Sequence, residues 1–337
     1  MKIRTMILRP IGSWRSAALH AAAILVCLVL VLPLSASSGK LLSLRVLPEG
    51  PTLWGANAAQ RFIALGLYAD GLERDVTSEA RFTLSDDGIA SIEEPGRLVA
   101  RSNGTLTLRA DLDGETAETR VTVSGAGEKR PFSFGRDVGA ILTKRGCNTS
   151  DCHGSVKGKG GFKLSANALY PRDDYKWIIE GGTYQVLSPE SKGPKNPRID
   201  FEKPEDSTLL LKPTMGIPHG GGQRFSVDSA DYETIVDWVR RGAPFGEESE
   251  SGSARVVGIE VQPGEVVLDA EGRQQLLVTA RLSNGRREDI TSEVLYVSNN
   301  SGVVDVSSGG VVKAVNTGET AIMIRAAGFA VSTGFGV

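Results

Sequence analysis

Apolar and polar residues alternate with a period of two along 105–110 and 121–123, the pattern of strands that bury one face. Asp70-Gly71, Asp113-Gly114 and Asn284-Gly285 interrupt such runs with residues that accept left-handed backbone, which predicts tight hairpin turns. Elsewhere the period changes. Val138, Ile141 and Leu142 share one face of a short helical stretch. Tyr232, Ile235, Val236 and Val239 fall at i, i+3, i+4 and i+7 with Trp238 beside them, predicting a helix over 231–241. Ser229 can cap its start, while Gly242 and Pro244 stop it. Asp231 and Glu233 near its beginning and Arg240 and Arg241 near its end complement the helix dipole. At the N-terminus a basic head (Lys2, Arg4, Arg9, Arg15) precedes an apolar run over 17–34 and the small residues Ser35 to Ser38. That order predicts an export signal over 1–38, removed together with Cys27; if retained, the run would anchor the chain in a membrane.

The pattern repeats. Asp70-Gly71-Leu72-Glu73-Arg74-Asp75-Val76-Thr77-Ser78-Glu79 returns as Asn284-Gly285-Arg286-Arg287-Glu288-Asp289-Ile290-Thr291-Ser292-Glu293, at an offset of 214. Gly88, Gly96, Ala100 and Gly104 recur at the same offset as Gly302, Gly310, Ala314 and Gly318. Both copies, 41–124 and 256–337, read as antiparallel β-sandwiches. With the D-V/I-T-S segment and a final G-T/E-T-x-I-like strand, they resemble the group 2 bacterial immunoglobulin-like domain, and the resemblance implies a spacer or adhesive role at the cell surface.

Composition narrows the function classes. The 337 residues suffice for two or three domains, and 38 basic against 40 acidic residues give a net charge of −2, which offers no bulk field for nucleic acid. Once the signal is removed the chain keeps two cysteines, two histidines and two methionines. That scarcity disfavours a Ser-His-Asp site or a histidine-rich hydrolytic centre, so the chain reads as an enzyme only with difficulty. Asp111 to Glu115 lacks the further ligands of a calcium loop and reads as a hairpin turn.

Three of those six residues fall together between the repeats, in Arg145-Gly146-Cys147-Asn148-Thr149-Ser150-Asp151-Cys152-His153-Gly154. Two thiols that add across haem vinyl groups, followed at once by a histidine beneath the iron, are the geometry of c-type haem attachment, although four residues rather than two separate these cysteines. A local disulfide, a zinc site with His219 and a redox thiol pair are the competing readings. His219 and Met215 are the candidates for the opposite axial position. Lys157, Lys159 and Lys163 lack phosphate-loop spacing; with Lys144 and Arg145 they are candidates to neutralise haem propionates or dock an acidic partner.

The insert then becomes recognisable. Cys147 to His153, Gly160-Gly161-Phe162-Lys163-Leu164-Ser165, the run from Pro204 to Pro213, Pro218-His219-Gly220-Gly221 and Trp238 to Pro244 follow in order. Over 131–246 this resembles the cytochrome c-like domain of planctomycete-type surface proteins, where it is joined to group 2 immunoglobulin-like domains and commonly followed by two large domains of unknown function. The resemblance implies that Cys147 and Cys152 are thioether cysteines, His153 the proximal iron ligand and His219 the first choice of distal ligand, with Met215 its substitute. It also implies that the chain is either a shorter member or the electron-transfer part of a larger machine.

The expectation is therefore two all-β immunoglobulin-like sandwiches flanking a mainly α cytochrome c-like domain, carrying haem c and transferring one electron at the cell envelope, periplasm or surface, to an unidentified redox protein. A peroxidase-like activity would need an open axial position. The competing expectation is a surface adhesion or structural module whose middle domain is closed by a Cys147–Cys152 disulfide.

Overall fold

The computed structural model describes residues 39–185, 188–192, 195–246 and 254–337; the expected export signal lies outside them. The two repeats fold alike. In the first, strand Leu41–Leu47 pairs antiparallel with Ile63–Tyr68, which pairs with Glu73–Asp75 across the Asp70-Gly71 turn. A four-stranded sheet runs Thr52–Trp54, Glu115–Ser124, Gly104–Leu112, Arg81–Leu84, and a three-stranded one runs Ala59–Arg61, Arg97–Ala100, Ala90–Glu94. The second repeat lays down the same three sheets in the same order, from Val256–Gln262 to Phe329–Gly336. Asp113 and Gly114, at φ 48° and 88°, close the long hairpin of the first repeat. Alternation places Leu106, Leu108, Ala110, Val121 and Val123 inside one sandwich and Ile322, Ile324, Ala326 and Phe335 inside the other.

What the period-two pattern does not reveal is that the sandwiches clasp each other. Asp75 Oδ1 accepts the Thr77 amide at 3.0 Å and Asp289 Oδ1 that of Thr291 at 2.8 Å, a local turn in each repeat. The threonine hydroxyls in turn accept from the amides of Ala64 and Val278. The second carboxylate oxygen crosses over: Gln275 N–H donates to Asp75 Oδ2 and Arg61 N–H donates to Asp289 Oδ2, both at 2.6 Å. Arg61 and Gln275 are themselves 214 positions apart, so the contact is reciprocal, as at the interface of a two-fold dimer. Ile63 and Leu277, another equivalent pair, are buried with Leu47 and Leu65 between the two bodies.

The segment between the repeats is not a mainly α domain, which corrects the expected fold class. Among the described residues its four α-helices, α1 (Val138–Lys144), α2 (Pro171–Glu180), α3 (Thr208–Leu211) and α4 (Ala230–Arg240), total 32 residues, and turns, short 3-10 segments and irregular chain fill most of the rest. Glycine and proline are the reason. Gly158 and Gly181 adopt left-handed backbone where a Cβ would collide with the carbonyls of Phe162 and Asn196, and Pro204 and Pro213 interrupt the chain on either side of α3. The protein as described is thus predominantly β, with two β-sandwiches of the same strand order.

A compact core nevertheless forms in the insert. Phe134 and Trp238 are fully buried with ring centroids 5.5 Å apart, and α1, α3 and α4 contribute Val138, Leu142, Leu210, Ile235 and Val239. The α4 stripe buries as its periodicity predicts, and the Ser229 side chain caps it by accepting from the Tyr232 amide. The core is mounted on the second sandwich: Gly328 N–H donates to Asn167 O at 2.6 Å, and Arg136 pairs with Glu288.

Candidate functional site

The loop after α1 carries the cysteine-histidine sequence as a series of tight turns. Cys147 N–H donates to Leu142 O, His153 N–H to Cys147 O and Leu164 N–H to His153 O, so the loop folds back on itself and delivers His153 to a small cleft. Gly154 permits this, since a Cβ there would collide with Asn148 O. Far along the chain, Pro218 to Gly222 forms the opposing turn and supplies His219.

The two imidazoles face each other across the cleft with ring centroids 6.3 Å apart and planes within 4° of parallel. Nδ1 of His153 lies 3.0 Å from Phe162 O, and Nδ1 of His219 lies 2.8 Å from Gly222 O. A carbonyl only accepts, so each Nδ1 donates its proton there, a backbone contact of the kind that orients a ligating histidine. Burial pushes the His153 imidazole below its ordinary range, and nearby His219 adds to that, which keeps His153 neutral and able to ligate. The Phe162 ring packs against His153 at 4.7 Å. Gly221 leaves no space beside His219: a Cβ would lie 2.9 Å from its Cε1.

The cleft measures about 140 Å³ and includes Cys152, with Phe162, Leu209 and Thr208 in its wall. Cys147 and Cys152 are free thiols, so the expected disulfide is absent. The Cys147 thiol is buried and pushed up to about 12 by desolvation, whereas Arg224 Nη2 approaches Cys152 Sγ at 3.8 Å. Met215 does not join the cleft; it occupies a left-handed turn position and is 48% exposed.

Two expectations are corrected here. No group of three or more His, Cys, Asp or Glu able to hold a metal ion exists among the described residues, so a metal-binding site built of protein donors, including the zinc reading of Cys147, Cys152 and His219, is dropped. The cytochrome c reading likewise loses its fold, the insert being mostly turn and loop. Three of the candidate basic residues have partners within the insert. Lys144 and Arg145 pair with Asp231, and Lys163 Nζ donates to the carbonyls of Gly154 and Ser155, so all three hold the insert together. The cations that line the cleft are Lys159, Lys212 and Arg198. Arg198 and Lys212 carry no local sequence signal; only the chain's path brings them there.

A larger polar cavity of about 780 Å³ lies where the two sandwiches meet the start of the insert. Its Arg61, Arg130, Arg136 and Arg287 are each engaged by a carboxylate, and Arg286 lies over the Trp54 ring at 4.1 Å, so it contains no reactive constellation.

No protein-family model matches the chain. Ice-binding protein 1 of Shewanella frigidimarina (strain NCIMB 400) is 26% identical over 147 residues, 41% of this chain, and the match spans 16% of that protein's length. Among solved structures, domains 5 and 6 of the S-layer protein SbsC align over 88% of this chain and 97% of theirs, with 10% identity and a TM-score of 0.32. Invasin, a bacterial integrin-binding protein, aligns over 88% of this chain and 60% of its own, with 11% identity and a TM-score of 0.17. At such scores the superpositions establish no shared fold, and the sandwich assignment stands on the strand pairing described above.

Proposed function

We propose that this chain is an exported structural or adhesive module of the cell surface. The reading is carried by the reciprocal clasp, which makes one stiff body of two sandwiches and mounts the insert on it, a construction suited to holding and presenting a surface. The basic-apolar-small order of residues 1–38 supports export. Protease shaving of intact cells tests it: release of fragments from an unbroken cell supports the reading, and full protection with recovery from the cytoplasm refutes it. Ice affinity, the property in the name of the Shewanella relative, is checked on the purified chain by ice-crystal shaping.

A second reading is favoured by the histidine pair. The His153 and His219 rings lie parallel with centroids 6.3 Å apart, and the Nδ1 of each is held by a backbone carbonyl, a spacing in which two imidazoles could hold one iron. On this reading His153 and His219 would hold the iron and Cys147 and Cys152 would attach haem c; Cys152 lines the cleft, whereas Cys147 is buried in the core of the insert. Such a group supplies one-electron redox chemistry, and the chain's part is to orient the two imidazoles through Phe162 O and Gly222 O and to cover one side with Phe162. Produced in a host that matures c-type cytochromes, the protein should stain for haem on a denaturing gel and show no free thiols at Cys147 and Cys152. Colourless protein with both thiols titratable refutes this reading and leaves the structural one standing.

A further inference from the structure

The cleft is lined by three cations, Lys159, Lys212 and Arg198, and by no carboxylate. Arg198 is the one the fold holds in place. Its backbone is pinned by Arg198 N–H donating to Ile178 O at 2.8 Å and by Leu209 N–H donating to Arg198 O at 2.9 Å, which ties it to the end of α2 and the start of α3. The guanidinium lies over the Phe162 ring, 5.3 Å from its centroid, and Nη2 donates to Gly161 O at 3.3 Å. Nε is buried and makes no hydrogen bond.

Four other inward-lying arginines are treated differently, whereas Arg224, which donates to Arg145 O and approaches Cys152 Sγ, resembles Arg198 in having no ion pair among the described residues. Arg74 has Asp70 and Asp269, Arg130 has Asp137, Arg136 has Glu288 and Arg145 has Asp231. Among the described residues no carboxylate comes within ion-pair distance of Arg198. A half-buried guanidinium with an unpaired N–H is costly unless something anionic completes it, and its planar fork matches a carboxylate. Burial already weakens its hold on its proton, the effect an incoming anion would reverse.

We infer that Arg198, backed by Lys159 and Lys212, anchors an acidic group of the molecule held between His153 and His219. Resting on the haem reading, the group would be a propionate carboxylate, which Arg198 would hold while His153 and His219 hold the iron. Lys144, Arg145 and Lys163, engaged within the insert, take no part.

The test uses matured holoprotein and the variants Arg198→Gln and Arg198→Lys. Arg198→Gln is expected to keep the covalent haem stain and the low-spin visible spectrum while lowering the midpoint potential, since a positive charge beside the propionate disfavours the ferric form. Its resonance Raman propionate-bending band should move as well, and Arg198→Lys should retain most of the potential but not the band position. A stained Arg198→Gln protein with unchanged potential and band overturns the inference and leaves the haem reading intact. Where Arg198→Gln fails to fold, Arg198→Lys decides by its band: a shift supports the anchor, and no shift overturns it. Wild-type protein without haem stain overturns the haem reading itself, and the propionate anchor with it.

Discussion

The two sandwiches share strand order, turn chemistry and the Asp-x-Thr segment, yet they have different duties. Position 74 of the first is arginine, which pairs with Asp70 in its own turn and with Asp269 across the interface. The equivalent position of the second is Glu288, which instead takes Arg136 from the insert. Likewise Leu169 of the insert packs on Gly328, in the final hairpin turn of the second sandwich. The fold tolerates such divergence because these side chains lie at the rim, whereas Asp75/Asp289, Thr77/Thr291 and Ile63/Leu277 perform the same task in both copies. What is common to the repeats maintains the clasp, and what differs selects the sandwich that carries the insert.

That comparison is most sharply tested at its apolar centre. Ile63→Ala and Leu277→Ala should each destabilise the protein by about 3 kcal/mol in urea unfolding, because both side chains are buried in the shared interface. Similar losses at the two positions support functional equivalence, and a loss confined to one breaks it. Asp75→Ala and Asp289→Ala come next, at about 2 kcal/mol each, since either leaves a partner amide of the other sandwich and a local turn amide without an acceptor.

The insert carries a pH effect of its own. Asp174 is buried and pushed up to about 7 from its ordinary 3.8, with desolvation outweighing the two hydrogen bonds it accepts from Ser165. The folded state thus holds a proton that the unfolded state has released between those values. Asp174's contribution to stability should be greatest below pH 4 and decline as pH rises towards 7, and Asp174→Asn should remove that component of the pH dependence in thermal melts across the range. The smallest effect is expected from Arg136→Gln, about 1 kcal/mol, because the partly exposed ion pair with Glu288 is screened by water. The corresponding loss of the insert's protection should appear in hydrogen exchange at α1 before any change in the first sandwich.

Much of the fold is legible in the order of residues. The hairpin turns, the repeat register, α1 and α4 follow from periodicity and capping within a few residues, which are local properties of the chain. The helix over 171–180 has a signal of its own in Pro171 followed by Asp173 and Asp174, the signature of a helix first turn. The expectation of a mainly α insert fails because a handful of motifs in family order says nothing about the chain between them, where glycines and prolines dictate turns. Met215 qualifies as a ligand on chemistry, but its left-handed turn leaves it facing solvent.

Sequence alone determined the repeat, its strand and turn chemistry, and the identity of the few residues able to ligate. Tertiary structure decided how they meet: the crossing of Asp75 and Asp289 to each other's sandwich, the parallel approach of His153 and His219 from 66 positions apart, and the presence in their cleft of Arg198, whose Nε has no partner. The division has a physical cause. Backbone preference and hydrophobic period act over a few residues and are written in order along the chain. Charge pairing and ligand geometry depend instead on contacts between distant segments, which exist only once the cores have packed.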